Sequence, residues 1–339
     1  MEIKHTEKEI LQQVREIFQK TTKLDVQIRH AIYGPDAVMR IAMQDKEWHF
    51  PLEVKNYLTR TTLRLAVQQL RQFPEKGLLI TRYVTPQMAD ELKEMDIQFV
   101  DTAGNAYINE PPLFIFMKGN KPAIKYRKKP PTRAFRPTGL QVVFALLCNP
   151  GLENAPFRKI AKVAAAALGT VGWVMRDLKE MGYLIDMGKH GRRLIKKQNL
   201  LERWVTAYPE QLRPKQLIGR YEANSFDWWK DANLHTFKAY WGGEIAATFL
   251  TKYLKPQMVT IYTKQPLGKL LLKHRIKKDP DGYIEILEAF WNVEHNLPYP
   301  NLVHPILIYA DLLTTGDTRN LETAEIVYER ELARLIRED

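Results

Sequence analysis

Apolar positions recur along the chain at two spacings, and the spacing changes from segment to segment. Near the N-terminus "TEKEILQQVREIF" repeats apolar residues one helical turn apart and predicts an amphipathic helix, while "DAVMRIAMQDKEWHFPLEVKN" follows as two extended runs around "QDK". A helix "TTLRLAVQQLRQF", a strand "GLLITRYV", a helix "TPQMADELKEM" and a strand "IQFVDTAGNAYI" complete this alternating third. Residues 138–200 are mostly helical. There "TGLQVVFALLCN" sets Val142, Val143, Leu146 and Leu147 on one face, and "APFRKIAKVA" is a second helix with proline near its start. The turn "AAALG" leads into "TVGWVMRDLKEMG", where Val171, Val174, Leu178 and Met181 recur at helical spacing. Two β-like runs, 183–187 and 193–196, flank a basic tip. From 210 to 339 both periods mix: a glycine-led helix in "YWGGEIAATFLTKYL", strands in "QMVTIYT" and "YIEILEAFW", and two helices around "TTGDTRN".

These patterns predict an α/β plus α+β multidomain chain. An α/β domain spans 1–117, a basic linker 118–137, a winged helix-turn-helix 138–200, and a mixed α/β domain 201–339. At 339 residues the chain exceeds one comfortable core. Lysine and arginine number 51 against 39 acids, a net charge of +12, which favours an acidic partner such as nucleic acid. The stretch "KGNKPAIKYRKKPPTRAFRP" concentrates that charge, with eight cations, four prolines and no acid. It reads as an extended segment, either a solvated tether or one that lies along phosphates through residues such as Lys128 and Lys129. Cys148, the single cysteine, sits in an apolar run and reads as core. No leader-like block and no run of 18 uncharged apolar residues occurs, so a cytoplasmic protein without a membrane partner is expected.

The chemistry of 138–200 follows from its order. Thr170 caps the third helix, whose first turns present Gly172, Trp173 and Arg176 away from the apolar stripe. A helix N-terminus attracts phosphate, and Arg176 reaches base edges. Lys189, His190, Arg192 and Arg193 surround Gly191 as a wing suited to the flanking backbone, and Arg158 and Lys159 join them from the second helix. Trp173 either meets sugar and base or packs on the wing. His190 has no second His or Cys at ligand spacing. The competing reading is a helical protein-protein module with a solvated basic hairpin.

In the first domain, an even connection between the two extended runs sets Asp36 across from Glu53 or Lys55, with all three side chains on one face. The order of elements, with Asp36, Glu53, Val54 and Lys55, resembles the core of the PD-(D/E)XK restriction-endonuclease-like superfamily. That resemblance implies Mg²⁺ held by Asp36 and Glu53, a lysine that positions the attacking water, and accessory positions at Glu9 or Glu16 and Gln68 or Gln69. Glu53 and Lys55 as a plain surface pair need no metal. In the last third, "WGGE" reads as helix packing or a phosphate approach, and Asp311, Asp317, Arg319 and Glu322 read as one polar cluster.

The stretches "VDTAGNAYI", "ALGTVGWVMRDLKEMGYL", "WGGEIAA" and "HPILIYADLLTTGDTRNLETA" together resemble the AbiEi antitoxin family in a longer form. The resemblance implies a winged-helix regulator of a type IV toxin–antitoxin system, autorepressing and opposed to a nucleotidyltransferase-like toxin. It places Thr170, Gly172, Trp173 and Arg176 in the recognition helix and Lys189, Arg192 and Arg193 in the wing. Two functions follow as expectations: a regulator that binds double-stranded DNA without a cofactor, or a Mg²⁺-dependent endonuclease targeted by the same winged helix. Oligomeric state and operator stay open.

Overall fold

The apolar stripe of the first helix decides how the first unit is layered. Ile10, Val14 and Phe18, spaced by four, are all fully buried in α1 (Glu2–Thr22). The computed structural model describes residues 2–30, 35–58, 60–122, 132–292, 301–315 and 317–336. The chain divides into two compact units, Met1–Lys129 and Pro130–Asp339.

In the first unit α1 is followed by β1 (Asp25–His30), β2 (Ala37–Met43), β3 (Lys46–Lys55), α2 (Arg60–Arg71), β4 (Leu78–Thr81), α3 (Pro86–Glu94), β5 (Gln98–Asp101), β6 (Ala106–Glu110) and β7 (Leu113–Met117). The strands form one sheet in sequence order. β3, β4 and β5 run parallel and their neighbours on both sides antiparallel. Every residue of β4 is buried, as a central strand covered on both faces requires. Leu52, Val54, Leu78 and Ile80 pack with α1, whereas Leu79 and Phe99 pack with α2 and α3. Alternation along β3 therefore turns Glu53 and Lys55 toward the α2 side.

"IQFVDTAGNAYI", expected as one strand, is a hairpin of β5 and β6. The cause is Asp101, fully buried, whose carboxylate accepts from the N–H groups of Val84, Ala103 and Asn105 and from Asn105 Nδ2. These bonds fold the chain back at Thr102–Asn105. The edge strands β1 and β7 escaped the apolar pattern because each shows only part of its length to the core.

The second unit begins with α4 (Pro137–Cys148), α5 (Phe157–Val163), α6 (Leu168–Glu180), and a hairpin of β8 (Leu184–Asp186) and β9 (Arg192–Leu194). It continues with α7 (Lys197–Gln211), α8 (Arg213–Gln216), β10 (Leu217–Glu222), β11 (Ala239–Gly242), α9 (Gly243–Thr251), β12 (Val259–Thr263), α10 (Gly268–Lys273), β13 (Lys277–Lys278), β14 (Ile284–Glu288), α11 (Pro305–Thr315) and α12 (Thr318–Val327). A short π turn, Tyr328–Leu332, leads into α13 (Ala333–Ile336). Five strands form a mixed sheet in the order β11-β12-β14-β10-β13.

The boundary expected at residue 200 falls inside α7. The physical reason is an aromatic core that spans it: Phe144 of α4 stacks on Trp204 of α7 at 5.2 Å and meets Phe290 at 5.1 Å. Trp204 Nε1 also donates to the Leu140 carbonyl at 2.8 Å. The linker likewise ends before residue 137. Arg133–Phe135 form one 3₁₀ turn with Ala134 and Phe135 buried. Cys148 is buried, and burial pushes its thiol well above the ordinary range, as a packing residue requires.

The C-terminal sheet encloses a polar network. Asp311 accepts from Tyr262 at 2.9 and 3.0 Å and from Arg213 Nε at 3.1 Å, and the Tyr208 and Tyr262 hydroxyls lie 2.6 Å apart. Arg213 also donates to Glu285 at 2.6 Å, and Arg220 holds the other Glu285 oxygen at 2.6 Å. The paired glycines serve this packing, because a Cβ on Gly242 would sit 2.5 Å from the Tyr262 ring. Asp311 does not join the other members of its expected cluster. Asp317 instead caps α12 through the Arg319 N–H and pairs with the Arg319 side chain, while Glu322 accepts from Tyr253.

Burial alone would raise the Glu285 carboxyl, but Arg213 and Arg220 outweigh it and hold the group below the ordinary carboxylate range. A depressed folded value gives stability that is present above the unfolded value, about 4.3, and is lost as pH falls through the folded one. Glu285→Gln is therefore expected to lower unfolding stability by about 3 kcal/mol at neutral pH, with the gap to wild type narrowing below pH about 4. Urea titrations followed by tryptophan fluorescence at several pH values check both parts.

Candidate nucleic-acid interface

The exposed face of α6 is set by what its other face buries. Val171, Val174, Met175 and Leu178 point into the unit, which leaves Trp173 and Arg176 on the outside, Trp173 with 43% of its surface exposed. Thr170 does not cap this helix. α6 begins two residues earlier, with Ala167 extended at the N-cap and Thr170 inside the first turn. The turn geometry moves the start: Ala165 takes φ +51° and ends α5, with the Ala166 N–H bonded to the Ala161 carbonyl and the Ala165 N–H to that of Lys162. The chain re-enters helix at once after Ala167. Gly172 lies in the helix with open space where a Cβ would stand.

The hairpin beside α6 is fastened at its base and open at its tip. Gly191 has φ +84°, and a Cβ there would fall 2.4 Å from Asn154 Oδ1, so glycine is required by conformation and by space. Asn154 Oδ1 accepts from the Arg192 N–H at 2.6 Å. The Arg192 guanidinium donates to the Ala155 carbonyl at 2.9 Å and lies 5.0 Å from the Phe157 ring centre. Arg192 thus anchors the hairpin to the helices. Lys189, His190 and Arg193 are exposed, as are Arg158 and Lys159 on the first turn of α5. Asp186 is held below the usual carboxylate range, first by the Gly188 N–H and then by Lys179. Lys128 and Lys129 lie outside the described residues.

Two residues missed in the sequence complete this surface. Arg133 places its guanidinium 4.0 Å from the Trp173 ring centre, and Arg176 places its own at 4.6 Å. Asn154 is the other, holding the hairpin. The only sequence signal for Arg133 was its place at the end of a basic stretch.

In the first unit the register across β2 and β3 pairs Ala37 with Leu52, and Asp36, just before β2, donates its N–H to the Leu52 carbonyl at 3.0 Å. The two-residue turn Gln44–Asp45, with Gln44 at φ +55°, supplies the even connection. Asp36 Oδ2 accepts from the Val54 N–H at 2.8 Å, and Lys55 Nζ lies 2.7 Å from Glu53 Oε1. Of the accessory positions, Gln68 is buried on α2, and Glu9 lies 3.7 Å from Arg82. Glu16 accepts from Gln12 on the helix surface, and Gln69 is half-buried. Arg82, itself buried and donating to Asn56 at 2.6 Å, is a cation near this strand end that the pattern did not reveal. Among the described residues no group of three or more His, Cys, Asp or Glu is arranged to hold a metal ion, and no described helix is long and apolar enough to cross a membrane.

The strained αL alanine gives a direct test of the turn. An L-residue in that region costs about 1–2 kcal/mol, which glycine avoids at the expense of a more flexible unfolded chain. Ala165→Gly is expected to raise Tm by about 2–4 °C, measured by circular dichroism.

No curated protein and no solved structure matches the chain. Residues 193–333, from the second strand of the hairpin to the final helix and less than half of the chain, match the AbiEi_2 family, a transcriptional regulator, AbiEi antitoxin of type IV TA systems.

Proposed function

We propose that the protein is a DNA-binding transcriptional regulator that represses its own operon as the antitoxin of a type IV toxin–antitoxin system. The observation that carries this reading is the cationic outer face of α6 and the hairpin, built on a buried apolar stripe and left open within its unit. α6 acts as the recognition helix of a winged helix-turn-helix. Its uncapped N-terminus meets a phosphate, and Arg176 reads a base edge in the major groove. Lys189, His190 and Arg193 contact the flanking backbone, with Arg158 and Lys159 on the neighbouring phosphates. The family match supports the regulatory role, and the opposing toxin is of the nucleotidyltransferase-like type. No cofactor takes part in DNA binding.

Arg176→Ala is expected to weaken binding to the DNA upstream of the gene by about 1–3 kcal/mol and to relax sequence preference. Lys189→Ala should weaken all sequences alike and reduce the salt slope by about 0.9. Gel-shift titrations over a series of salt concentrations read both. Unchanged affinity in the double variant removes this contact surface.

A second reading rests on the first unit, where the Asp36 carboxylate accepts from the Val54 N–H, between Glu53 and Lys55, which pair at 2.7 Å. The hard oxygens of Asp36 and Glu53 suit Mg²⁺, which keeps several waters, and one Asp36 oxygen is uncommitted among the described residues. Bound there, the ion supplies positive charge beside a phosphate; Asp36 and Glu53 hold it, and Lys55 orients a water. Under this reading purified protein with Mg²⁺ nicks supercoiled plasmid and Glu53→Ala does not. Intact plasmid with wild type leaves a nuclease-like scaffold without catalysis.

A further inference from the structure

Two unit charges about 4 Å apart repel by about 1 kcal/mol even in water, so surface cations normally spread out or sit beside acids. Arg133 and Arg176 instead share one ring and, among the described residues, pair with no acid. Both guanidiniums lie over one exposed indole, that of Trp173, and among the described residues neither meets a carboxylate. Arg133 is also fixed from behind. The Ala134 N–H donates to Asp177 of α6 at 3.0 Å, Phe135 is buried with the Arg203 guanidinium 4.4 Å from its ring centre, and a Cβ on Gly139 would fall 2.0 Å from the Arg133 carbonyl oxygen. The turn that carries Arg133 is therefore part of the α6 scaffold.

We infer that Trp173 is a positioning residue that holds Arg133 and Arg176 as a pair against duplex DNA, with Arg133 on a backbone phosphate and Arg176 on a base edge. This inference rests on the DNA-binding reading above. The negative face of an indole attracts a guanidinium without neutralising it. A guanidinium held against a ring face spends none of its N–H donors on an acid, so they remain for phosphate or for the O6 and N7 atoms of guanine. An ion pair with an acidic side chain would hold the arginines equally well but would spend their charge. The ring holds them charged and leaves both available to phosphate and base. Trp173 thereby takes a role different from either alternative in the sequence reading, direct base contact or packing on the hairpin.

The test measures anisotropy of a labelled duplex carrying the DNA upstream of the gene, and of a scrambled duplex, over a series of salt concentrations. Arg133→Ala should weaken binding to both duplexes and lower the salt slope by about 0.9. Trp173→Ala removes no charge, yet should lower the slope by at least as much, because it releases the arginines. Trp173→Phe keeps an aromatic face and should retain the wild-type slope. The Arg133→Ala, Trp173→Ala double variant should bind no worse than Trp173→Ala alone. Melting by circular dichroism is expected to be unchanged in Arg133→Ala, which keeps the test valid should Trp173→Ala fold poorly. Wild-type slope in Arg133→Ala, or weakened binding at wild-type slope in folded Trp173→Ala, overturns the inference. If wild type binds but depends only on Arg176 and Lys189, the pair fails and the regulator reading stands. If wild type binds neither duplex, both fall.

Discussion

The second unit depends on one contact, the stack of Phe144 on Trp204. α4 is apolar on nearly every side, so it has no solvent face to orient it, and only its neighbours define its rotation. Trp204 fixes that rotation twice, by ring stacking and by a hydrogen bond to the Leu140 carbonyl. Aromatic pairs of this kind add about 0.5–1.5 kcal/mol beyond the area they bury. Because α5 and α6 rest on α4, the same contact determines which face of α6 points outward. Phe290 and Trp291 extend the cluster to the end of β14, and Asn292 reaches on to the carbonyls of Lys162 and Val163 at the end of α5. The three helices and the mixed sheet form one compact unit for this reason, although their sequence patterns suggest two.

Buried polar groups then specify what apolar packing leaves loose. Asp101 gathers four donors, one from Val84 and three from the Ala103–Asn105 turn, and so fixes where β5 turns into β6. Glu244 accepts from the N–H groups of Gln257 and Met258 and from Asn320, which joins the start of α9 to the approach of β12 and to α12. Asp311 links α11 to α7, α8 and β12. At Asp101 and Asp311 burial outweighs the partners and raises the carboxyl, so the loss of any one partner is costly and each carboxylate acts as a check on the register of distant segments. Gly242 belongs to the same device, since the ring of Tyr262 occupies the space a side chain would need.

Helix periodicity made most helices of both units legible, because their buried stripes recur at fixed spacing. The even connection between β2 and β3 was legible too, and a two-residue turn supplies it. Three features were not. The hairpin at Asp101 depends on a buried carboxylate whose four bonds include one from Val84, a residue far off in sequence. The start of α6 depends on an alanine adopting a backbone region that alanine rarely enters, which composition does not announce. The roles of Arg133 and Arg192 are opposite, although both are arginines flanking the same motif, because contacts across the fold decide them. Sequence spacing locates a cation on an element; it does not say whether that cation is already engaged.

That distinction separates the arginines of this chain into two kinds. Arg213 and Arg220 meet Glu285, Arg82 meets Asn56 and Glu9, and Arg192 meets a carbonyl, so folding itself satisfies them. The exposed cations of α5, α6 and the hairpin tip, with Arg133 beside them, include several for which the described residues offer no acid. A chain with twelve surplus positive charges must carry some of them unpaired, and chance would scatter these over both units. Those beside α6 stand on helices and a hairpin that share one core, so each adds to the self-repulsion of that surface. A polyanion offsets it, and does so by releasing the counterions it carries rather than by adding contacts. The proposed DNA contact thus draws on surface charge that neither the core nor the strand pairing requires.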